Sequence, residues 1–179
     1  MTDPVPEIRS PRLRLVSLSP SATRALLDGR HTEAEGETGV HFPPEWPGGD
    51  RWILEIRLEQ MMKDPALQQW LLRVAALPDG TMVGHAGMHG PPRERGEVEL
   101  GYTVLPAYRG QGYATEAARA LMEWARATHG VATFVASVSP TNTPSLRVVE
   151  RLGFRQTGVQ IDEEDGEELV FELGLTAPD

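Results

Sequence analysis

The chain of 179 residues contains no cysteine. A disulfide framework, a thiolate metal site and a cysteine nucleophile are therefore excluded. No uninterrupted apolar stretch approaches the roughly 20 residues that a membrane-spanning helix needs. The first residues, Met1 to Glu7, also lack the basic and apolar regions of a secretory signal. We therefore expect a cytoplasmic protein that has no membrane partner.

Positive charge is scarce, because 17 Lys and Arg residues stand against 26 Asp and Glu residues and give a net charge of −9. An acidic surface argues against non-specific binding to nucleic acid. It suits a cationic amine as a substrate, although solubility alone explains the charge of most acidic proteins. The length, the 40% hydrophobic content and the lack of a linker or repeat predict one domain over residues 1–179.

The most informative stretch is the turn Arg109–Ala114, which joins an alternating, strand-like run to a helix. Gly110 and Gly112 let the backbone approach a ligand closely. Successive N–H groups at a turn and a helix N-terminus form an anion site, and Arg109 adds a cation. The pattern is neither the dinucleotide fingerprint nor a P-loop. It predicts a pyrophosphate cradle, with a glycine-rich turn that binds no ligand as the alternative.

The spacing Arg109-x-x-Gly112-x-Ala114 resembles the acetyl-coenzyme A signature of the GNAT N-acetyltransferase superfamily. Its flanks resemble the same family in order, and the likeness is closest to the branch that includes the ribosomal-protein N-terminal acetyltransferases. These flanks are Glu99-Leu100-Gly101-Tyr102, Asn142-x-x-Ser145 and Leu152-Gly153-Phe154. The resemblance is strong from Met82 to Phe154 and weaker outside that range.

Periodicity and turn residues predict a mixed α+β fold. The segment 28–50 is expected to be a loop with an aromatic patch, and the acidic segment 162–168 a solvated turn. The resemblance implies a GNAT fold with a largely antiparallel sheet of about six to seven strands, splayed in the middle and flanked by about four helices. The predicted strands are 12–16, 69–76, 81–88, 97–105, 134–138, 154–160 and 169–175, and the predicted helices are 20–27, 51–64, 112–128 and 144–152.

The resemblance implies that acetyl-coenzyme A is the cosubstrate. Its pantetheine arm would pair with the strand edge at Thr103, Val104 and Leu105. Asn142 and Ser145 would add contacts, although Asn142 could instead cap the helix for which we expect Thr143 as the N-cap. The pyrophosphate would lie on Arg109, Gly110, Gln111, Gly112, Tyr113, Ala114 and Thr115. No metal is expected, because the spacing of the histidines His41, His85 and His89 matches no ligand motif.

Acyl transfer to an amine needs a group that takes a proton and a donor that polarises the thioester carbonyl. The family resemblance implies a backbone N–H near Val104 as the donor. Glu99 is the first candidate base and Glu97 the second. Both point to one face of a regular strand, where two carboxylates can raise one pKa. The alternative is that both are solvated charges.

The position at which many family members carry a proton-donating tyrosine holds Val149. Water, the product ammonium or Ser137 would then protonate the leaving thiolate. We expect an enzyme that acetylates a primary amine by direct attack, with a protein N-terminus, a small amine, an amino acid or an aminoglycoside-like compound as acceptor. The alternative is a non-catalytic acyl-coenzyme A sensor. A homodimer is common in the family, and the sequence does not decide the assembly.

Overall fold

The computed structural model describes residues 5–163 and 166–175. Within these ranges one sheet contains eight strands in the order β1-β2-β3-β4-β5-β6-β8-β7. The strands are β1 Ile8–Arg9, β2 Arg14–Ser17, β3 Arg73–Ala76, β4 Met82–Met88, β5 Glu97–Val104, β6 Thr133–Val138, β7 Arg155–Asp162 and β8 Gly166–Gly174. The α-helices are α1 Pro20–Leu27, α2 His31–Thr38, α3 Arg51–Lys63, α4 Tyr113–His129 and α5 Thr143–Leu152.

The sheet opens between its two central strands. β5 and β6 form the one parallel pair among the described strands, and they pair only from Glu97 opposite Thr133 to Glu99 opposite Val135. Beyond Glu99, β5 stays paired with β4, and β6 stays paired with β8. The two halves of the sheet therefore diverge and leave one edge of β5 open. This confirms the mixed, splayed sheet, with slightly more strands than the sequence predicted.

Two hydrophobic clusters pack against the sheet. One cluster lies between the sheet and helices α4 and α5, and the other lies between the sheet and helices α1, α2 and α3. Helix α4 buries Ala117, Leu121 and Ala125, which recur at helical spacing on one face. This packing fixes the N-terminus of α4 beside the end of β5, where the sequence predicts the cradle.

The segment predicted as a loop over 28–50 contains a helix, α2, and the loop prediction was wrong there. Its sequence, HTEAEGET, shows no apolar period, and only Ala34 and Thr38 are buried. The aromatic residues after it belong to the core: Phe42 and Trp46 are buried, and their rings stack at 5.5 Å. The hydrophobic pattern of the sequence does not indicate α2, because packing of the whole segment, rather than helix amphipathicity, stabilises this helix.

The start of α5 differs from the prediction by one residue. Asn142, not Thr143, is the N-cap, because its Oδ1 accepts a hydrogen bond of 3.2 Å from the Ser145 N–H. Gly153 ends the helix at φ +86° as expected. The acidic turn predicted over 162–168 includes residues 164–165, which lie outside the described residues.

Candidate active site

The open edge of β5 is the first part of the site. The Leu105 N–H donates to the Val83 carbonyl, and Thr103 is paired with His85 of β4. Successive residues of a strand turn their backbone groups to opposite sides. Val104 therefore directs its backbone groups into the opening, where its carbonyl accepts a bond of 3.2 Å from Arg109 Nε. Of the three predicted edge residues, Val104 presents its main chain to the opening, while Thr103 and Leu105 anchor the strand to β4.

The turn between β5 and α4 is the second part. Gly110 and Gly112 adopt φ values of +76° and +82°, which disfavour any other residue, and Gly112 is the N-cap of α4. In the described part of the chain, the backbone N–H groups from Gly110 to Thr115 donate to no protein acceptor, whereas the Glu116 N–H donates to the Gly112 carbonyl. The Arg109 guanidinium makes no ion pair with a described residue. The turn thus presents free donors and a cation, which fits a diphosphate.

An N-terminal arginine braces this turn. Arg12 donates to the Gln111 carbonyl at 3.0 Å and to Glu116 at 2.6 Å, and its guanidinium lies 4.7 Å from the centre of the Tyr113 ring. Burial acts to raise the pKa of Glu116, but hydrogen bonds from Ser10 and Arg12 outweigh it and lower that pKa. Arg12 was not among the predicted site residues, because roughly a hundred positions of sequence separate it from the motif.

Helix α5 forms the opposite wall. Ser145 Oγ donates to the Tyr102 hydroxyl at 3.0 Å, and that hydroxyl donates to the Ser145 carbonyl at 3.3 Å. Burial raises the pKa of Tyr102, so the phenol stays protonated at neutral pH. Asn142 uses its carbonyl oxygen as the helix cap, and its side-chain amide N–H groups stay available to a ligand. Val149, at the position of the missing tyrosine, is buried in the core.

Glu99 lies where the two strands separate and is enclosed by donors. It contacts the Arg93 guanidinium, it accepts a bond of 2.9 Å from Ser137 Oγ, and its Oε2 lies 3.6 Å from His89 Nδ1. Burial acts to raise its pKa, but His89, Ser137 and Arg93 outweigh burial and lower the pKa to about 2. The expectation of a raised pKa was therefore wrong for Glu99. One oxygen of Glu97 is buried without a partner among the described residues.

A pocket of about 140 Å³ lies between α3 and the β4–β5 pair, beside the opening. Two histidines line it, His85 of β4 and His89 just after that strand. His85 is buried, and its Nε2 lies 3.1 Å from Asp50 Oδ2, which also accepts from Trp46 Nε1 at 3.1 Å. The hydrogen bond from His85 lowers the pKa of Asp50. The lining residues are Ile53, Arg57, Leu72, His85, Gly87, Met88, His89, Gly101, Tyr102 and Thr103.

His41 does not join the other two histidines, because it is exposed and lies near Glu35. Across residues 5–163 and 166–175, no group of three or more His, Cys, Asp or Glu residues has the arrangement of a metal site. Nor is any helix in these ranges long and apolar enough to span a membrane.

Comparison with known proteins agrees with this geometry. Residues 12–155 match the family model of the acetyltransferase (GNAT) domain. The uncharacterised N-acetyltransferase YjdG of Bacillus subtilis is 29% identical over 147 residues, which cover 80% of this chain and 86% of the relative.

Two solved structures have the same fold. An acetyltransferase from Agrobacterium tumefaciens superposes with a TM-score of 0.63 at 26% identity, over 97% of this chain and 96% of that chain. The ribosomal L7/L12 alpha-N-protein acetyltransferase RimL, solved in complex with coenzyme A, superposes with a TM-score of 0.68 at 18% identity, over 97% of this chain and 100% of that chain.

Proposed function

Because this chain belongs to the GNAT family of acetyl-coenzyme A-dependent N-acetyltransferases, we propose that it acetylates a primary amine by direct attack on the thioester. The observation that carries this proposal is the row of free backbone N–H groups from Gly110 to Thr115 at the end of the open β5 edge. The acceptor pocket lies beside the same edge. Donor and acceptor would thus meet near Val104.

The part of the site around the turn between β5 and α4 would bind the acetyl donor. The free N–H groups and Arg109 hold the diphosphate, where the N-terminus of α4 favours negative charge. The main-chain groups of Val104 at the β5 edge, with Asn142 and Ser145 on the α5 wall, would hold the pantetheine arm. When bound, acetyl-coenzyme A supplies an activated thioester carbonyl. The Val104 N–H, which faces the opening, stabilises the charge that develops on that oxygen.

Glu99 is the proposed catalytic carboxylate, and its surroundings define how it acts. With a pKa of about 2 it is ionised at neutral pH and attracts the ammonium form of the acceptor. Such a weak base takes a proton poorly by itself. We therefore propose that Glu99 orients His89, whose imidazole takes the amine proton. The His89 ring lies over Gly101, and a Cβ added to this glycine would come to 3.2 Å from His89 Nε2. Because glycine has no side chain, the ring has room on the pocket side.

The leaving thiolate also needs a proton. Ser137 is one candidate, although its hydroxyl already donates to Glu99. The Tyr102 hydroxyl is a second candidate, because it lies at the α5 wall of the opening and stays protonated at neutral pH. Either hydroxyl would take over the role that the tyrosine missing at Val149 plays in other family members.

The test is release of free thiol from acetyl-coenzyme A in the presence of a panel of amines. The panel contains small amines, amino acids, an aminoglycoside and N-terminal peptides. The peptides are included because the names of RimL and of the human alpha/beta-tubulin-N-acetyltransferase 9 indicate protein acceptors. Amine-dependent thiol release supports the proposal. Thermal stabilisation by coenzyme A without any amine-dependent thiol would instead support a sensor that does not catalyse acetyl transfer.

A further inference from the structure

The pocket between α3 and the β4–β5 pair contains a cation, Arg57, that has no counterion among the described residues. We propose that Arg57 binds a carboxylate of the acceptor there, so that the substrates are amines that also carry a carboxylate. This inference rests on the proposed amine acetylation and adds a substrate class to it.

The positive charge of Arg57 is not compensated by a described residue. Its Nη1 donates to Gln60 Oε1 at 2.9 Å, and its Nε is buried with no acceptor. Within residues 5–163 and 166–175 no carboxylate lies at ion-pair distance from it. Burial lowers the pKa of Arg57, which is the effect expected of a cation that has lost water without gaining an anion.

The two histidines around the pocket already have carboxylate neighbours. His85 faces Asp50 at 3.1 Å, and His89 lies beside Glu99. The remaining walls include the apolar residues Ile53 and Leu72. A guanidinium in such surroundings gains most from a bound carboxylate, because the pair is poorly screened and its hydrogen bonds are charge-assisted.

The pocket is placed to serve the reaction. It is lined by Tyr102 and Thr103, the β5 residues just before Val104, and by His89. A ligand that binds Arg57 through its carboxylate therefore has its amine on the His89 side of the pocket. A pocket volume of about 140 Å³ leaves room for an amino-acid-sized group.

Two sources could supply such a carboxylate. In a free amino acid it is the α-carboxylate beside the amine. In a peptide whose first residue is Asp or Glu it is the side-chain group. The chemistry recognised by Arg57 is the same, and matched acceptors distinguish the two sources.

The experiment compares kcat/KM, expressed per concentration of free amine, within two pairs of acceptors in which one carboxylate is replaced by a carboxamide. Alanine against alaninamide tests the α-carboxylate, and a tripeptide beginning with Asp against the same peptide beginning with Asn tests the side chain. For the wild-type enzyme we expect the acid to exceed its amide by about tenfold or more in one pair. Arg57→Gln should bring that ratio close to one, and Arg57→Lys should restore part of it.

The matched control is Arg95→Gln, an equal loss of charge on an exposed turn, which should leave the ratio unchanged. Thermal unfolding checks that each variant is folded. Calorimetry of N-acetylalanine and N-acetylalaninamide with the coenzyme A-loaded protein gives a readout that needs no turnover. Equal values for acid and amide in both kinetic pairs and in calorimetry, or a preference that survives in Arg57→Gln, would overturn the inference. The proposed function fails separately, if no amine at all releases thiol.

Discussion

Among single residues, Glu99 shows how strongly neighbours determine the chemistry of a side chain. Its position before Leu100-Gly101-Tyr102 made it the first candidate base in the sequence. The direction of its pKa shift was not predictable, because Arg93, His89 and Ser137 come from a turn, from the segment after β4 and from β6. A local sequence pattern points to Glu99 as a candidate, whereas contacts between distant elements determine its protonation state.

The pH dependence of catalysis tests the role proposed for Glu99, and the loss of activity on substitution tests the role proposed for His89. Because the pKa of Glu99 is about 2, it does not titrate between about pH 5 and 9, and any acidic limb of kcat in that range belongs to another group. We expect Glu99→Gln to lower kcat about 10- to 1,000-fold while the acidic limb persists. We expect His89→Gln to lower kcat as well, because the amine then lacks the imidazole that takes its proton.

The measurement is kcat against pH for the wild type and both variants, with coenzyme A affinity by calorimetry as the control. An acidic limb that disappears in Glu99→Gln would contradict the role proposed for Glu99, and an unchanged kcat in His89→Gln would contradict the role proposed for His89.

At the level of elements, the site depends on how closely β4 and β5 approach each other. A Cβ at Gly84 would lie 2.2 Å from the Thr103 carbonyl oxygen and 3.0 Å from the Val104 Cα. Both neighbours are backbone atoms that cannot move without shifting β5. The strand edge that faces the opening is thus held in place by a glycine on the neighbouring strand.

Gly84→Ala should therefore damage stability and activity together. We expect a loss of about 1–3 kcal/mol in the free energy of unfolding, as for other overpacked sites, and a fall in kcat because Val104 is displaced. Urea unfolding and thiol release measure the two effects. Gly174→Ala in β8 is the control, since no atom lies within 4 Å of its added Cβ. Equal stability of the two variants would refute the close-approach argument.

The elements also show where sequence reasoning ends. Strand β5 and the helices α1, α4 and α5 followed from periodicity and caps. Strand β4, which is buried almost throughout, followed from the turn residues Pro78-Asp79-Gly80 before it. Helix α2 did not, since only Ala34 and Thr38 of it are buried. The pocket residue Arg57 was also missed, because one arginine on α3 carries no local signal until β4 and β5 pack against that helix.

Across the whole molecule, Arg73 ties the sheet to the N-terminal segment and to α4. It is completely buried, and it donates to the carbonyls of Pro6, Leu15 and Gln69 at 2.8, 3.4 and 3.2 Å. Its guanidinium also lies 5.2 Å from the centre of the Trp124 ring. One side chain therefore satisfies backbone groups from three separate segments.

Arg73→Ala should destabilise the whole fold rather than the site alone. The change leaves a cavity and several carbonyls without a donor, so we expect the free energy of unfolding to fall by about 3–5 kcal/mol. Urea denaturation measures the loss, and Arg95→Gln serves as a surface control. A loss below about 1 kcal/mol would show that water replaces the guanidinium without penalty.

Acid should also weaken the molecule as a whole. The folded-state pKa values of Glu99, Asp50 and Glu116 all lie below their ordinary values. A lowered pKa means that the group stabilises the fold above its unfolded-state pKa and loses this contribution as the pH falls through the folded-state pKa. For Glu99 that window runs from 4.5 to about 2.

Urea unfolding at neutral pH and at about pH 3, inside that window, tests this prediction, with lower stability expected in acid. Glu99→Gln should show a smaller difference between the two pH values than the wild type. An equal difference in both proteins would exclude Glu99 as a source of the acid sensitivity.

The contacts of Arg12 with Glu116 and the Gln111 carbonyl limit how far the chain of this enzyme can be shortened at its N-terminus. The match to the family begins at residue 12, but Glu116 also accepts a bond of 2.7 Å from Ser10. A chain shortened to begin at residue 12 would keep every motif residue and still lose the Ser10 part of the support beneath the proposed diphosphate site. Weaker retention of the shortened chain on a coenzyme A column would then reflect the removed N-terminal residues, not a defect in the motif.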